Sequence, residues 1–274
     1  MKRNARSARE GARTDRRVVP FFLLAALDAL INMLIWLVAY FHPGLWPSQA
    51  LPAMYWHAHE MLFGFVTAAI SGFLLAAAPG WTGRSTPSGA STIPLAFLWL
   101  AGRVAMMPFV AMPHKVASFV DLAFLPALVF TLVPPLVRAR KLRNFSFIWP
   151  LGALFLANIS FHLGMNGTLE AGEHIGLAVS IDVVTILIVV VGGRLIPAFT
   201  RSGLNGQDIA AHAQNNRWIE FGSIASVVAV LAVDIGVPLS AFGGAGSLVA
   251  GRAQGFRIMR WLDRSGMRNP LISV

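Results

Sequence analysis

The chain has 274 residues, 56% of them hydrophobic and only 12% charged, well below the charged share of a soluble domain. Its net charge of +10 would suit nucleic acid, but the basic residues gather in the tails and between apolar runs, the pattern of a polytopic protein facing a lipid bilayer. With no cysteine in the chain, disulfides, thiolate-ligated haem, iron–sulfur clusters and Cys-based zinc sites are excluded, and any metal falls to His, Met, carboxylate or backbone.

Residues 1–17 carry Lys2, Arg3, Arg6, Arg9, Arg13, Arg16 and Arg17 with no apolar period; they read as a disordered basic tail. The apolar run over 18–41 is too long for a signal-peptide core of roughly 7–15 residues, and no small-residue cleavage site follows it. It is expected to be the first transmembrane helix, with Asp28 and Asn32 turned into the bundle. Further spans of about 20 residues are expected near 54–78, 92–111, 116–137, 146–165, 174–198 and 218–237, with a weaker Gly-rich one near 240–262. His42-Pro43-Gly44, Pro79-Gly80, Pro87-Ser88-Gly89 and Asn166-Gly167 mark the turns between them. The fold class is therefore all-α, a transmembrane bundle of seven to eight spans over 18–262, closed by a short basic tail over 263–274. There is no internal repeat and no sign of a second domain.

Charge sets the orientation. The N-terminal tail, Arg84, the run Arg138, Arg140, Lys141 and Arg143, then Arg201, Arg217 and the C-terminal Arg257, Arg260, Arg264 and Arg268 all fall on one side. The other side holds Lys115 with Glu170, Glu173 and Asp234. The positive-inside rule makes the first side cytoplasmic, N-terminus included. His42, His57, His59, His114, His162 and His174 then lie toward the opposite membrane face, and His212 alone among the seven is cytoplasmic. Interfacial enrichment belongs to Trp and Tyr, so this bias points to ligands shared between helices.

The densest stretch is Tyr55-Trp56-His57-Ala58-His59-Glu60-Met61-Leu62-Phe63-Gly64-Phe65. Ionisable groups inside a span are costly unless paired, ligated or wetted, and imidazoles beside a carboxylate suit haem or metal ligation. The plain alternative is a polar cluster reaching for the interface. At about 100° per residue His57 and His59 point to nearly opposite sides and cannot both bind one iron. His57 lines up with Gly64, Ala68 and Gly72, a stripe that seats either a flat macrocycle or a close neighbour helix, and Glu60 shares its broad face. His59 looks toward another helix.

Arg103 suits a haem propionate or an ion pair with Asp121, while Asp182 suits pairing or proton relay. Arg194, in the run Gly192-Gly193-Arg194-Leu195-Ile196-Pro197, reads as a functional residue or a positive-inside anchor. The methionines are scattered and read as filler. No P-loop, dinucleotide fingerprint or Ser/His/Asp grouping appears, and Phe63 stands where a second zinc-binding His would follow His59-Glu60.

Several motifs together resemble the NnrS family of bacterial membrane proteins. They are Trp56 to Phe65, Gly72-Phe73-Leu74-Leu75, Ala78 to Gly83, Leu98 to Arg103, Asp121 with Phe124-Leu125-Pro126, Asn158 with His162, and Gly192-Gly193-Arg194 through Phe199-Thr200. The resemblance implies a multi-pass protein of the bacterial cytoplasmic membrane that holds haem, of b type, and copper. It also implies a part in tolerance of nitric oxide and nitrosative stress in denitrification. By position His57, His59, Glu60, His162, Arg103, Asp121 and Arg194 match its polar residues. His57 and His162 are the preferred iron ligands, with Glu60 as their orienting or proton-donating partner and Arg103 as propionate partner. His59 and His174 join His57 and His162 as metal candidates. NnrS-like proteins run on into further His-bearing helices beyond a Pro-Leu-Leu-Trp-like segment, and this chain stops at Asn269-Pro270-Leu271; a truncated or naturally short member is expected.

Two rival readings fit the same residues. One is a transporter in which the His/Glu/Asp set relays protons or passes a metal ion, and the other a membrane sensor or assembly factor using the basic tail. Nitric oxide or a related small molecule is the expected partner besides lipid. No nucleic acid is expected.

Overall fold

A computed structural model describes residues 2–48, 50–83, 89–138, 148–203, 217–236 and 241–261, and their regular structure is helical throughout. The helices are α1 (Lys2–Phe41), α2 (Ala53–His59), a π-helical segment (Glu60–Val66), α3 (Thr67–Thr82), α4 (Ile93–Ala105), α5 (His114–Leu122), α6 (Phe124–Arg138), α7 (Ile148–Met165), α8 (Gly172–Gly203), α9 (Arg217–Gly236) and α10 (Ala241–Trp261). Among the described residues, five stretches are long and apolar enough to cross a bilayer: Pro20–Phe41, Ala53–Gly80, His114–Val137, Ile148–Met165 and Gly172–Gly193. The apolar helices Ile93–Ala105 and Phe221–Gly236 are shorter.

Two expectations need correction. The basic tail continues α1 as helix from Lys2; Ala and Arg are good helix formers, and extending an existing helix avoids the cost of nucleation. The span expected at 92–111 stops at Ala105, and an irregular stretch follows before α5. The span expected at 116–137 is found as His114–Val137, with a turn at Ala123 between α5 and α6. Most of the basic loop near 138–145, His212 and the C-terminal tail lie outside the described residues.

The bundle divides into two compact units, residues 1–180 and 181–274. In the first, α1 packs along α3 and the π-helical segment, α4 against α5, and α6 against α3 and α7. The small-residue stripe of the sequence serves this packing. A Cβ on Gly72 would come within 3.1 Å of the Phe22 ring and 3.2 Å of Phe21, so the stripe seats α1 and not a macrocycle. Ala68 there is fully buried.

The ends of α1, α4 and α7 and the starts of α2, α5 and α8 meet at one end of the unit. Trp56 Nε1 donates to the Met106 carbonyl at 2.8 Å, Trp46 packs at a tilt on Trp56 and edge-on against Phe109, and Tyr55 Oη lies 2.8 Å from His174 Nε2. There α7 and α8 cross on glycine: Cβ atoms on Gly164, Gly172 or Gly176 would run into backbone atoms of the opposite helix.

In the second unit, Ile186 of α8, Val227 and Val230 of α9 and Ala250 of α10 form a small core with Val189, Val190 and Leu231 against it. Arg257 is buried there and donates to the Val189 carbonyl at 2.9 Å.

The α7–α8 crossing gives a direct test. Gly176→Ala should destabilise the protein by ~1–3 kcal/mol through overpacking. Gly222→Ala, whose Cβ meets nothing within 4 Å, should stabilise its helix by up to ~1 kcal/mol. Thermal unfolding in detergent reads both, and equal melting of the two variants would contradict the tight crossing.

Candidate functional site

Six polar side chains meet in the apolar interior of the first unit: His59, Glu60, Arg103, Asp121, Asn158 and His162, none more than 4% exposed. They come from α2, the first residue of the π-helical segment, α4, α5 and α7. His59, Asp121 and His162 stand about 5–10 Å along their helices from the end where α2 and α5 begin and α7 stops, at ~1.5 Å per residue.

Sequence spacing prepares two of the contributing faces. Asn158 and His162 are four apart on α7, and Ser118 lies four after His114 and three before Asp121 on α5, so each set lines one face. The π-helical segment does the rest. Its wider turn changes the phase between residues before and after it. The Gly64 carbonyl accepts from Trp99 Nε1 at 3.2 Å and from Thr67 Oγ1 at 3.1 Å, and Thr67 Oγ1 also donates to the Phe63 carbonyl at 2.6 Å.

Asp121 is the hub. Its Oδ1 pairs with Arg103 Nη2. Its Oδ2 accepts from Asn158 Nδ2 at 2.8 Å and from His162 Nε2 at 3.0 Å, and lies 3.3 Å from His59 Nε2. Arg103 also reaches Glu60, with Nη1 2.8 Å from Oε2, and its guanidinium carbon stands 5.9 Å from the Trp99 ring centroid. His59 Nδ1 meets Glu60 Oε1 at 3.0 Å and its Nε2 meets Asn158 Oδ1 at 3.1 Å. Because Asn158 spends its amide donor on Asp121, its oxygen is left to accept, and both nitrogens of His59 face acceptors. Ser118 Oγ contacts His162 Nδ1 at 2.9 Å.

Asp28 of α1 closes the group from the side. It is 6% exposed and its Oδ2 has no hydrogen-bond partner among the described residues. A Cβ on Gly64 would fall 2.8 Å from that oxygen and 2.9 Å from Arg103 Nη1, so Gly64 is what lets both side chains approach the helix. Three buried carboxyls, on Asp28, Glu60 and Asp121, thus face the one guanidinium of Arg103. Such an excess of acceptors in an apolar medium calls for further positive charge, either protons or a metal ion. His59, Asp121 and His162 each offer a ligand atom, all within 4.8 Å of one another.

The structure therefore brings together five of the residues singled out in the sequence: His59, Glu60, Arg103, Asp121 and His162. It does not bring His57 to them. His57 stacks on Trp36 of α1, with ring centroids 4.8 Å apart and planes at 14°, and its Nδ1 is buried without a partner among the described residues. Glu60, assigned to the face of His57, instead turns to His59, its neighbour at the α-to-π junction. His174 is exposed and bonded to Tyr55, with Glu173 Oε1 3.9 Å away. Asp182 is buried in the second unit with Oδ2 unpartnered. The backbone of Arg194 lies within α8, and its side chain is outside the described residues. Sequence reasoning missed the bridging part of Asn158 and the place of Ser118; the four-residue spacing to His162 and from His114 was the available clue.

The NnrS protein family model matches residues 19–274, nearly the whole chain. The chain belongs to the NnrS family. No curated protein and no solved structure matches it. Within the matched residues, the stretch Trp56 to Phe65 supplies the α2 and π-helical wall of the cluster, and Arg103, Asp121, Asn158 and His162 supply the rest.

Arg103→Ala should cost about 3–5 kcal/mol, since it strands Glu60 and Asp121 as buried carboxylates without their cation. Unfolding of detergent-purified protein checks this. A variant as stable as the wild type would mean that the guanidinium does not hold the cluster together.

Proposed function

We propose that this NnrS protein holds a metal ion, copper in the first place, at His59, Asp121 and His162, and through it acts in the response to nitric oxide. The convergence of two imidazoles and one carboxylate from three separate helices is the observation that carries the reading. Imidazole with carboxylate suits copper, zinc and iron alike, and family membership favours copper. When bound, the ion would supply a coordination position for nitric oxide.

The chain's own residues do the remaining work. Glu60 orients the His59 ring through Nδ1, Ser118 orients His162 through Nδ1, and Asn158 and Arg103 fix the Asp121 carboxylate. Partners of this kind set ligand tautomer and basicity. For haem, Phe21 and Phe22 fill the stripe beside Gly72, so no macrocycle is seated there. The chemistry proposed for the cluster is that of the metal ion.

The protein is read as a multi-pass component of the bacterial cytoplasmic membrane with seven or eight spans and a cytoplasmic N-terminus, on the strength of the basic loops. Since the chain has no cysteine, single cysteines report orientation. Gly44→Cys should react with an impermeant maleimide in intact spheroplasts, and Gly89→Cys only after lysis. The reverse pattern would invert the topology.

A transporter is the second reading. Buried Asp28 and Asp182 each keep an oxygen without a hydrogen-bond partner among the described residues, as groups that relay protons within a membrane do. It predicts pH-driven ion uptake by proteoliposomes.

The metal reading is tested on detergent-purified protein loaded with Cu(II), by elemental analysis and electron paramagnetic resonance before and after nitric oxide. We expect one tightly held ion whose spectrum responds to nitric oxide. Asn158→Ala should weaken affinity by about 10–100-fold, and a His59→Ala, His162→Ala double variant should lose the ion. Unchanged stoichiometry in the double variant would refute the assignment.

A further inference from the structure

His114 takes no part in the cluster's hydrogen bonds through its side chain, yet it stands beside it. It is the first residue of α5, half-buried, at the end of the unit where α5 begins. Its ring centroid is 5.5 Å from that of His162, which is 5.2 Å from that of His59. The three imidazoles form a file running from fully buried His59 through His162, 2% exposed, to the half-buried ring of His114 at the start of α5. Ser118 ties the last two members together: its Oγ donates to the His114 carbonyl at 2.8 Å and contacts His162 Nδ1 at 2.9 Å. His114 Nε2 is buried and has no hydrogen-bond partner among the described residues.

A buried ring nitrogen left without a partner loses the free energy of a hydrogen bond. Nothing in the packing of α5 requires an imidazole at that position, because the apolar contacts there are made by Ala117 with Ala105, Met106, Leu51 and Val120. The unsatisfied nitrogen is instead placed one ring away from a proposed metal ligand, on the half-buried residue that begins α5. A closed cluster of six residues, none more than 4% exposed, has no other imidazole among the described residues in ring contact with His162 from the surface side.

From this arrangement we infer that His114 is the access ligand of the site: it captures a metal cation at the membrane surface and passes it by ligand exchange to His162. The ion changes neither charge nor oxidation state in the transfer; one metal–imidazole bond forms as another breaks. The cation class is that favoured by imidazole, a borderline or soft transition-metal ion such as copper or zinc. This inference rests on the metal reading of the cluster, and it concerns the rate of loading, not the final ligand set.

The test follows Cu(II) uptake by the full chain in detergent, using stopped-flow mixing with the metal alone and the equilibrium spectrum as a second readout. His114→Phe keeps a flat ring in the same space but cannot ligate. We expect it to load about tenfold more slowly, equivalent to ~1.4 kcal/mol on the barrier, and to reach the wild-type stoichiometry and spectrum. His114→Asp, which can ligate without reducing Cu(II), should restore the rate. A wild-type rate in His114→Phe overturns the inference. So does an altered final spectrum, which would make His114 a resident ligand, and so does a slow His114→Asp, which would assign the effect to packing. Wild-type protein that binds no copper overturns the metal reading itself, and the access role falls with it.

Discussion

Everything in the first unit is arranged around a guanidinium held between two carboxylates in an apolar interior. Arg103 joins Glu60 of the π-helical segment to Asp121 of α5 from its own place on α4. Three segments of the chain are thereby fixed to one another at the depth where His59 and His162 must also sit. Charges taken out of water are tolerated only when geometry and hydrogen bonds compensate them, so the aromatic and amide partners around this pair are part of the same constraint. Trp99 faces the guanidinium while its indole N–H satisfies the Gly64 carbonyl, and Asn158 closes the remaining side of Asp121.

The π turn is the local device that makes the arrangement possible. The Gly64 carbonyl accepts from the Thr67 N–H and hydroxyl within the helix and also from Trp99 Nε1 of α4, just where glycine leaves room for Asp28 and Arg103. Extra residues in a helical turn are tolerated where something else satisfies the backbone, and they recur at functional positions for that reason. Here Thr67 and Trp99 provide that satisfaction, and the departure from ideal helix coincides with the densest polar motif in the chain.

The cluster is also short of positive charge. Three buried carboxyls share one arginine, and His59 faces acceptors on both nitrogens. This shortage links the metal and proton-relay readings, because either a metal ion or protons would relieve it. It also explains why His114, with an unsatisfied nitrogen one ring farther out, is more than a packed aromatic.

Composition alone fixed the membrane setting and the all-helical class, because an apolar chain can bury its backbone polar groups in a bilayer only as helices or closed barrels. The motifs from Trp56 to Phe65 and around Arg103, Asp121 and His162 were legible as polar residues within apolar runs, as was the family they belong to. The partners of those residues were not legible. A helical wheel assumes a uniform turn, and the π-helical segment breaks that assumption, so Glu60 was matched to His57 and not to His59. The wheel likewise could not tell whether the Gly64–Gly72 stripe met a macrocycle or a helix; the side chains of Phe21 and Phe22, more than forty residues away in the chain, settled that. Spacing along one helix determines which residues share a face, a local property of the backbone. Which face meets which is decided by packing between helices distant in sequence, and only the tertiary structure holds that information.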